Sequence, residues 1–152
     1  MDPKILPQSI VEEDNVLKFT LSGVNVSIAN TIRRTILSEI KSVVFKTYNE
    51  EVNRCTITLN TTAFNNEIIK QRLGCIPIHI KDLKMPLDNY ELYVEEENIT
   101  DTIKFVTTKD FKIKNLTTDE FLSEADTQQI FPPSDMTGYF IDFLRLKPKV
   151  GE

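Results

Sequence analysis

The sequence lacks most of the residues from which catalytic and metal centres are built. Its 152 residues include one histidine, two cysteines and no tryptophan. Two cysteines and one histidine cannot supply the four ligands of a typical zinc site without carboxylates. The four glycines are isolated from one another, which excludes a glycine-rich phosphate loop. We therefore expect no catalytic residue, no metal and no cofactor.

Basic charge is also scarce, with 18 Lys and Arg against 23 Asp and Glu and a net charge of −5. Nucleic-acid binding needs a basic face that releases counterions from phosphates, so we expect no direct sequence-specific contact with nucleic acid. No apolar run approaches the roughly 20 residues that span a bilayer, and no secretory signal opens the chain. We expect an intracellular, reducing setting without membrane contact, in which Cys55 and Cys75 are small buried apolar residues.

A helical pattern with an arginine inside its apolar stripe occupies Asn25–Ile40. At about 100° per residue, six apolar side chains fall on one broad arc. They are Ile28, Ala29, Ile32, Ile36, Leu37 and Ile40. Arg33 lies within this arc, whereas Arg34 lies on the far side.

The stretch Phe64–Ile80 repeats the feature, because Arg72 lies between Ile68 and Ile69 on the predicted helix. Burying a guanidinium without a partner costs several kcal/mol or more. Each of the two arginines is therefore expected to meet a carboxylate, a row of backbone carbonyls or another chain. For Arg72, the carboxylate of Glu67 or Glu50 could serve within the chain.

Local signals set the bounds of these two helices. Asn25 or Ser27 is suited to cap the first helix. The second helix is predicted to start within residues 62–65 and to end at Gly74 in a left-handed conformation, with Pro77 blocking any continuation.

The rest of the chain predicts short strands, because apolar and polar residues alternate over short segments. The predicted strands cover 15–23, 54–60, 76–80, 90–95, 103–107, 111–114 and 139–146, with an edge strand within 5–11. Residues 118–125 predict one or two helical turns capped by Thr118. Few helices, many short strands and no regular βαβ alternation predict an α+β fold.

The apolar arc of the first helix covers close to half of the helical surface, which is more than packing on one sheet requires. We therefore predict that part of this face, including Arg33, binds another chain. The alternative is that the whole face belongs to the core.

The two helical blocks resemble motifs of the α-like subunits of cellular RNA polymerases. This family comprises the bacterial α subunit, the archaeal D subunit and the third-largest subunit of polymerase II. Its Asn-x-hydrophobic-Arg-Arg dimerisation motif is matched by Asn30-Thr31-Ile32-Arg33-Arg34. Its second motif is matched by Glu67, by Gln71-Arg72-Leu73-Gly74 and by Ile76-Pro77-Ile78. The resemblance covers roughly residues 15–80, with a weaker match in the C-terminal stretch.

The resemblance implies a non-catalytic assembly subunit in transcription. Its first helix would pair with a second α-like subunit, and the dimer would then receive the second-largest and largest polymerase subunits. The subunit-interface residues implied by the match are Asn30, Ile32, Arg33, Arg34, Ile36, Leu37, Glu67, Arg72 and Gly74.

The resemblance also implies a domain division. Residues 1–47 would begin the dimerisation domain, and 48–152 would form an inserted, mostly β lobe that returns toward it near residue 139. Residues 81–130 lack the cysteines of the zinc loop in the polymerase II subunit, so no metal is expected. Family members continue beyond this point, so we expect a fragment or a chain that another polypeptide completes.

The abundance of Asn, Ile, Lys and Thr suggests a polymerase of a large DNA virus, located in the nucleus or cytoplasm, or in a viral factory or virion. The alternative function is a stand-alone domain that captures a helical protein partner. A hydrolase that uses Asp119 or His79 is a third hypothesis, but Asp119 lies in a polar loop and His79 has no companion residue spaced for a metal site or a nucleophile pair.

Overall fold

The computed structural model describes residues 2–14, 16–49, 51–80 and 84–149. These residues form three α-helices and nine short strands that pair only in antiparallel ladders. The predicted α+β class is therefore confirmed. The chain divides into two compact units, Met1–Lys41 and Ser42–Glu152. The assignment of residues 1–47 and 48–152 to a dimerisation domain and an inserted lobe stays a prediction.

The first unit consists of two small strand pairs and one long helix. Strand β1 pairs with β4, β2 pairs with β3, and α1 follows β4. The elements are β1 (Lys4–Ile5), β2 (Val11–Glu13), β3 (Val16–Lys18), β4 (Leu21–Ser22) and α1 (Val26–Ser38). A glycine is required between β4 and α1. Gly23 has a φ of 75°, and a Cβ there would collide with the carbonyl oxygen of Asp2.

Two strand predictions in this unit need correction. The edge strand predicted within residues 5–11 ends at Ile5, because the 3-10 turn Pro7–Ser9 follows it. Proline has a fixed φ and no N–H to donate to a ladder, which suits it to the start of such a turn. The strand predicted over residues 15–23 is divided into β3 and β4, and its first residue, Asn15, lies outside the described residues.

The second unit contains two helices and the remaining strands. Strand β7 lies between β5 and β8 in one sheet, and β6 pairs with β9 in another. The elements are α2 (Asn66–Gly74), β5 (Tyr90–Tyr93), β6 (Lys104–Thr107), β7 (Lys112–Asn115), β8 (Glu120–Phe121), α3 (Glu124–Ile130) and β9 (Asp142–Leu146). The predicted strands at 90–95, 103–107 and 111–114 are confirmed within a few residues, and that at 139–146 is confirmed from Asp142 onward.

The hydrophobic core lies in the second unit. Its buried cluster joins α2, β7 and β9 and consists of Ile69, Leu73, Ile76, Phe111, Ile113, Phe131 and Phe143. The Phe111 ring makes edge-on contacts with two other rings, at 5.2 Å from Phe131 and 5.4 Å from Phe143 between centroids. Edge-to-face pairs of this kind add to the stabilisation that comes from burial alone.

The sequence predicts strands over residues 54–60 and 76–80, and this is wrong for both segments. The predicted alternation holds in part, because Cys55, Ile57 and Ile78 are half-buried against the core while their neighbours are exposed, but Leu59 is 81% exposed. However, each segment makes one backbone hydrogen bond to a described residue more than three positions away, from Arg54 N to Lys46 O and from His79 N to Ile130 O. The alternation of apolar and polar residues therefore indicates which side chains face the core. It does not ensure that the segment pairs with a neighbouring strand.

The helical turns predicted over residues 118–125 are also wrong. Asp119 has a φ of 59°, which places it in a turn, and Phe121 then pairs with Lys114 in the ladder of β8 with β7. The helix begins later, at α3, where the Ser123 side chain accepts a hydrogen bond from Asp126 N. Ser123 is therefore the cap, and Thr118 is not.

Two small residues at the end of α2 also differ from expectation. The helix ends at Gly74 as predicted, but Gly74 is not left-handed. A Cβ on Gly74 would lie 2.7 Å from Thr47 Oγ1, so the position demands close approach rather than a positive φ. Cys75, predicted to be buried, is exposed, whereas Cys55 is half-buried.

Candidate protein interface

The helix α1 is defined by local interactions that the sequence anticipates. The Asn25 side chain caps it by accepting a hydrogen bond of 2.9 Å from Ile28 N. At the other end, Glu39 N donates to Thr35 O, and Glu39 is the C-terminal cap. The helix contains neither glycine nor proline, so nothing interrupts its apolar periodicity.

The apolar arc of α1 is open to solvent. None of the 13 residues of the helix, all of them within the described part, is buried. The exposed fraction is 53% for Ile36, 76% for Leu37 and 67% for Ile40, and Ile28 and Ile32 are also exposed. A continuous stripe of large exposed aliphatic residues on one helix is typical of a protein–protein interface.

The predicted interface residues Asn30 and Arg33 are in direct contact. Arg33 donates from Nε and Nη2 to Asn30 Oδ1, at 3.2 and 2.9 Å. Neither Arg33 nor Arg34 forms an ion pair with any residue that the structure describes. Asn30 therefore orients the Arg33 guanidinium, and no described carboxylate neutralises its charge.

The arginine of the second block has a different environment. Arg72 is partly buried and donates to two backbone carbonyl oxygens of β9, from Nε to Phe143 O and from Nη2 to Asp142 O, both at 2.7 Å. Its guanidinium also lies over the Phe64 ring, 5.5 Å from the centroid. Three kinds of partner were possible from the sequence: a carboxylate, a row of backbone carbonyls or another chain. In the structure, backbone carbonyls bind this arginine.

The carboxylates proposed as partners of Arg72 do not serve it in the described structure. Glu67 lies in the first turn of α2, is exposed and forms no salt bridge with Arg72, and Glu50 lies outside the described residues. A carboxylate in the first turn instead interacts favourably with the helix dipole.

The strand β9 contains functional-site candidates that sequence reasoning missed. Phe143 is the extra residue of a β-bulge, since Val106 pairs with Leu144 while Thr107 pairs with Asp142. The carbonyls at this bulge are those that Arg72 satisfies. The available signal was Asp142, a charged residue flanked by Ile141 and Phe143 within the predicted strand.

The residues considered for chemistry are not gathered into a site. His79 is exposed, and its backbone N–H donates to Ile130 O. Burial raises the pKa of the Cys55 thiol, and the nearby Lys70 charge opposes that rise. Among the described residues, no three His, Cys, Asp or Glu side chains could hold a metal ion, and no helix could cross a membrane.

Comparison with known proteins points to one family. Residues 18–135 match the family described as the RNA polymerase Rpb3/Rpb11 dimerisation domain. The chain is 36% identical over 85 residues to DNA-directed RNA polymerase subunit Rpo3 of Pyrococcus furiosus, a stretch that is 56% of this chain and 28% of the relative.

Two eukaryotic proteins are similar to the chain at comparable levels of sequence identity. Subunit rpac1 of DNA-directed RNA polymerases I and III from Dictyostelium discoideum is 32% identical over 94 residues, which is 62% of this chain and 24% of that protein. Subunit 3 of DNA-directed RNA polymerases II, IV and V from Arabidopsis thaliana is 34% identical over 76 residues, 50% of this chain and 21% of the relative. The matched stretch thus spans about a quarter of each relative.

Proposed function

The chain belongs to the RNA polymerase Rpb3/Rpb11 dimerisation-domain family, and from this premise we propose that it is a non-catalytic assembly subunit of a DNA-directed RNA polymerase. In this proposal α1 pairs with a second α-like subunit. The resulting dimer then forms the platform for the second-largest and largest subunits. The chain itself makes and breaks no bonds.

The single observation that supports this role is the exposed arc of α1. Burying one large aliphatic side chain is worth about 1.5–3 kcal/mol relative to leaving it exposed. Four such residues project from α1, namely Ile28, Ile32, Ile36 and Leu37, and Ile40 follows just beyond its C-terminal cap. A partner helix that covered several of them would gain enough free energy to offset a substantial share of the cost of association.

The charge on α1 restricts the partner. Docking against the arc would remove water from Arg33, and a desolvated guanidinium needs an acceptor. A partner helix should therefore present an apolar face with a carboxylate or a backbone carbonyl opposite Arg33. Asn30 favours this arrangement because it already fixes the guanidinium, which lowers the entropy lost on docking.

The proposal also includes a role for the second helical block and a cellular location for the protein. Glu67, Arg72 and Gly74 would maintain the shape of the lobe that contacts the second-largest subunit. The protein would act inside the cell, in the nucleus or cytoplasm, and a viral source would place it in a viral factory or virion. The composition rich in Asn, Ile, Lys and Thr is the support for the viral source.

The test is reconstitution with a second α-like subunit from the same source. Co-expression should give a stable complex of the two chains by size-exclusion chromatography with light scattering, and the large subunits should then join it. Ile36→Asp should abolish the complex. The matched control is Ile99→Asp, because Ile99 is 76% exposed and lies outside α1.

The same reconstitution can also contradict the proposal. A chain that stays monomeric with every α-like subunit of its source would overturn the proposal. If such a monomer binds an unrelated helical protein through α1, it is the stand-alone binding domain instead.

A further inference from the structure

A polar pocket of about 300 Å³ lies in the second unit, beside the bulge of β9. It is lined by Phe64, Arg72, Asp142, Phe143, Leu144 and Arg145. We propose that this pocket binds a carboxylate side chain, Asp or Glu, from a neighbouring polypeptide. The proposal does not rest on the function proposed above, because α1 takes no part in it.

Arg72 supplies one fixed cationic wall of the pocket. Its Nε and Nη2 are occupied by the carbonyls of Phe143 and Asp142. Its Nη1 makes no hydrogen bond to any residue described in the structure. Because two backbone acceptors and the Phe64 ring hold the guanidinium, an incoming acceptor would meet Nη1 with little loss of side-chain entropy.

Arg145 supplies the second cationic wall. It donates from Nε and Nη2 to the same oxygen, Asp142 Oδ2, at 3.1 and 2.9 Å. Its guanidinium lies 5.0 Å from the centre of the Phe105 ring. As with Arg72, its Nη1 has no hydrogen-bond partner within the described ranges, and its side chain is largely exposed. The pocket therefore has two oriented guanidiniums, each with a donor to spare.

The charge balance of the pocket favours a carboxylate over a phosphate. Two arginines and one aspartate give the lining a formal charge of +1, which a single carboxylate neutralises. A phosphate or a nucleic-acid backbone is more highly charged, so the lining would not neutralise it. The net charge of −5 on the whole chain would also repel it more strongly than a single carboxylate. The apolar part of the lining, Phe143 and Leu144, suits the methylene groups of an acidic side chain.

The experiment is an NMR titration of the full chain, labelled with nitrogen-15 and observed at the arginine Nε–Hε groups. The probes, at constant ionic strength, are a blocked Gly-Glu-Gly tripeptide, its Gly-Gln-Gly counterpart and inorganic phosphate. We expect saturable shifts at Arg72 and Arg145 with the Glu peptide alone. Arg54, an exposed arginine paired with Asp88, is the internal reference and should not respond.

Two variants sharpen the test. Arg145→Gln should weaken Glu-peptide binding about tenfold, which corresponds to one lost charge-assisted contact, whereas the matched Arg54→Gln should leave it unchanged. Asp142→Asn should tighten binding, because it removes the negative charge of the lining and raises its formal charge from +1 to +2. A gain in affinity is not a result that misfolding would produce.

Three results would overturn the proposal. They are equal shifts with the Gln peptide, tighter binding of phosphate than of the Glu peptide, and an Arg145→Gln titration that matches the unaltered chain.

Discussion

The guanidinium of Arg72 donates to the carbonyl oxygen of Phe143 across 71 positions of sequence, at a distance of 2.7 Å. The acceptor belongs to the residue at which β9 bulges and loses its ladder pairing with β6. Of the three kinds of partner expected for this arginine, it has the backbone carbonyls, and it takes the place of a missing strand partner. It connects α2 to β9 in the second unit.

Replacing Arg72 should therefore destabilise the second unit. Arg72→Ala removes the donor of two partly buried carbonyls, and we expect the free energy of unfolding to fall by about 2 kcal/mol. Arg72→Lys should recover only part of this, because an ammonium group lacks the planar fork that reaches both carbonyls. Urea denaturation followed by circular dichroism measures the effect. The control is Arg54→Ala, an exposed ion pair expected to change stability by less than about 1 kcal/mol; an equal loss in both variants would refute the assigned role.

Gly74 should be intolerant of even one methyl group. Gly74→Ala places a Cβ 2.7 Å from Thr47 Oγ1, and Thr47 is buried. We expect a loss of about 1–3 kcal/mol from overpacking, although alanine is the better helix former. Removing the opposing hydroxyl with Thr47→Ala should reduce the cost of Gly74→Ala. A double-mutant cycle in urea measures this coupling, and strictly additive losses would contradict the steric explanation.

The two arginines of α1 should affect assembly and leave the fold intact. Arg33→Ala with Arg34→Ala should weaken pairing with a second α-like subunit by a few kcal/mol, because arginines are enriched among the residues that anchor interfaces. The far-ultraviolet circular dichroism of the free chain should not change, since neither arginine is in an ion pair in the described structure. Binding is measured by titration calorimetry. Wild-type affinity in the double variant would show that the arginines are not anchors.

Tyr93 should ionise at a higher pH than an ordinary tyrosine, because its pKa is raised. Its hydroxyl donates to Glu91 Oε2 at 2.7 Å, and this hydrogen bond is the main reason that its pKa is raised, with desolvation adding to it. Because the folded pKa lies above the ordinary value, the associated stabilisation is present at neutral pH and is lost as the pH rises through the folded pKa. Glu91→Gln should move the pKa of Tyr93 back toward its ordinary value. Ultraviolet titration of tyrosinate checks this, and an unchanged pKa in the variant would count against the hydrogen bond as the cause.

The sequence predicted α1 and α2 well because their determinants are local. The caps Asn25 and Asn65 each accept from the N–H three residues later, and such spacing is visible in the sequence. The missed elements depend on distant partners. Phe121 joins a strand because Lys114 is available in β7, and residues 54–60 remain outside the ladders although Cys55 and Ile57 face the core.

The same distinction explains the outcome for the candidate interface. The exposed arc and the position of Arg33 follow from helical periodicity, which the sequence carries in full. The surroundings of Arg72 do not, because they depend on how β9 bulges some 70 residues away. The periodicity of the apolar residues identifies which side chains share a face. The fold determines which residues that face contacts.

The described residues of the Met1–Lys41 unit include no buried side chain. Without an interior of its own, such a unit would draw its thermal stability from the partner proposed for α1. Its melting temperature should then climb with the concentration of the complex, since folding and association become one equilibrium governed by mass action.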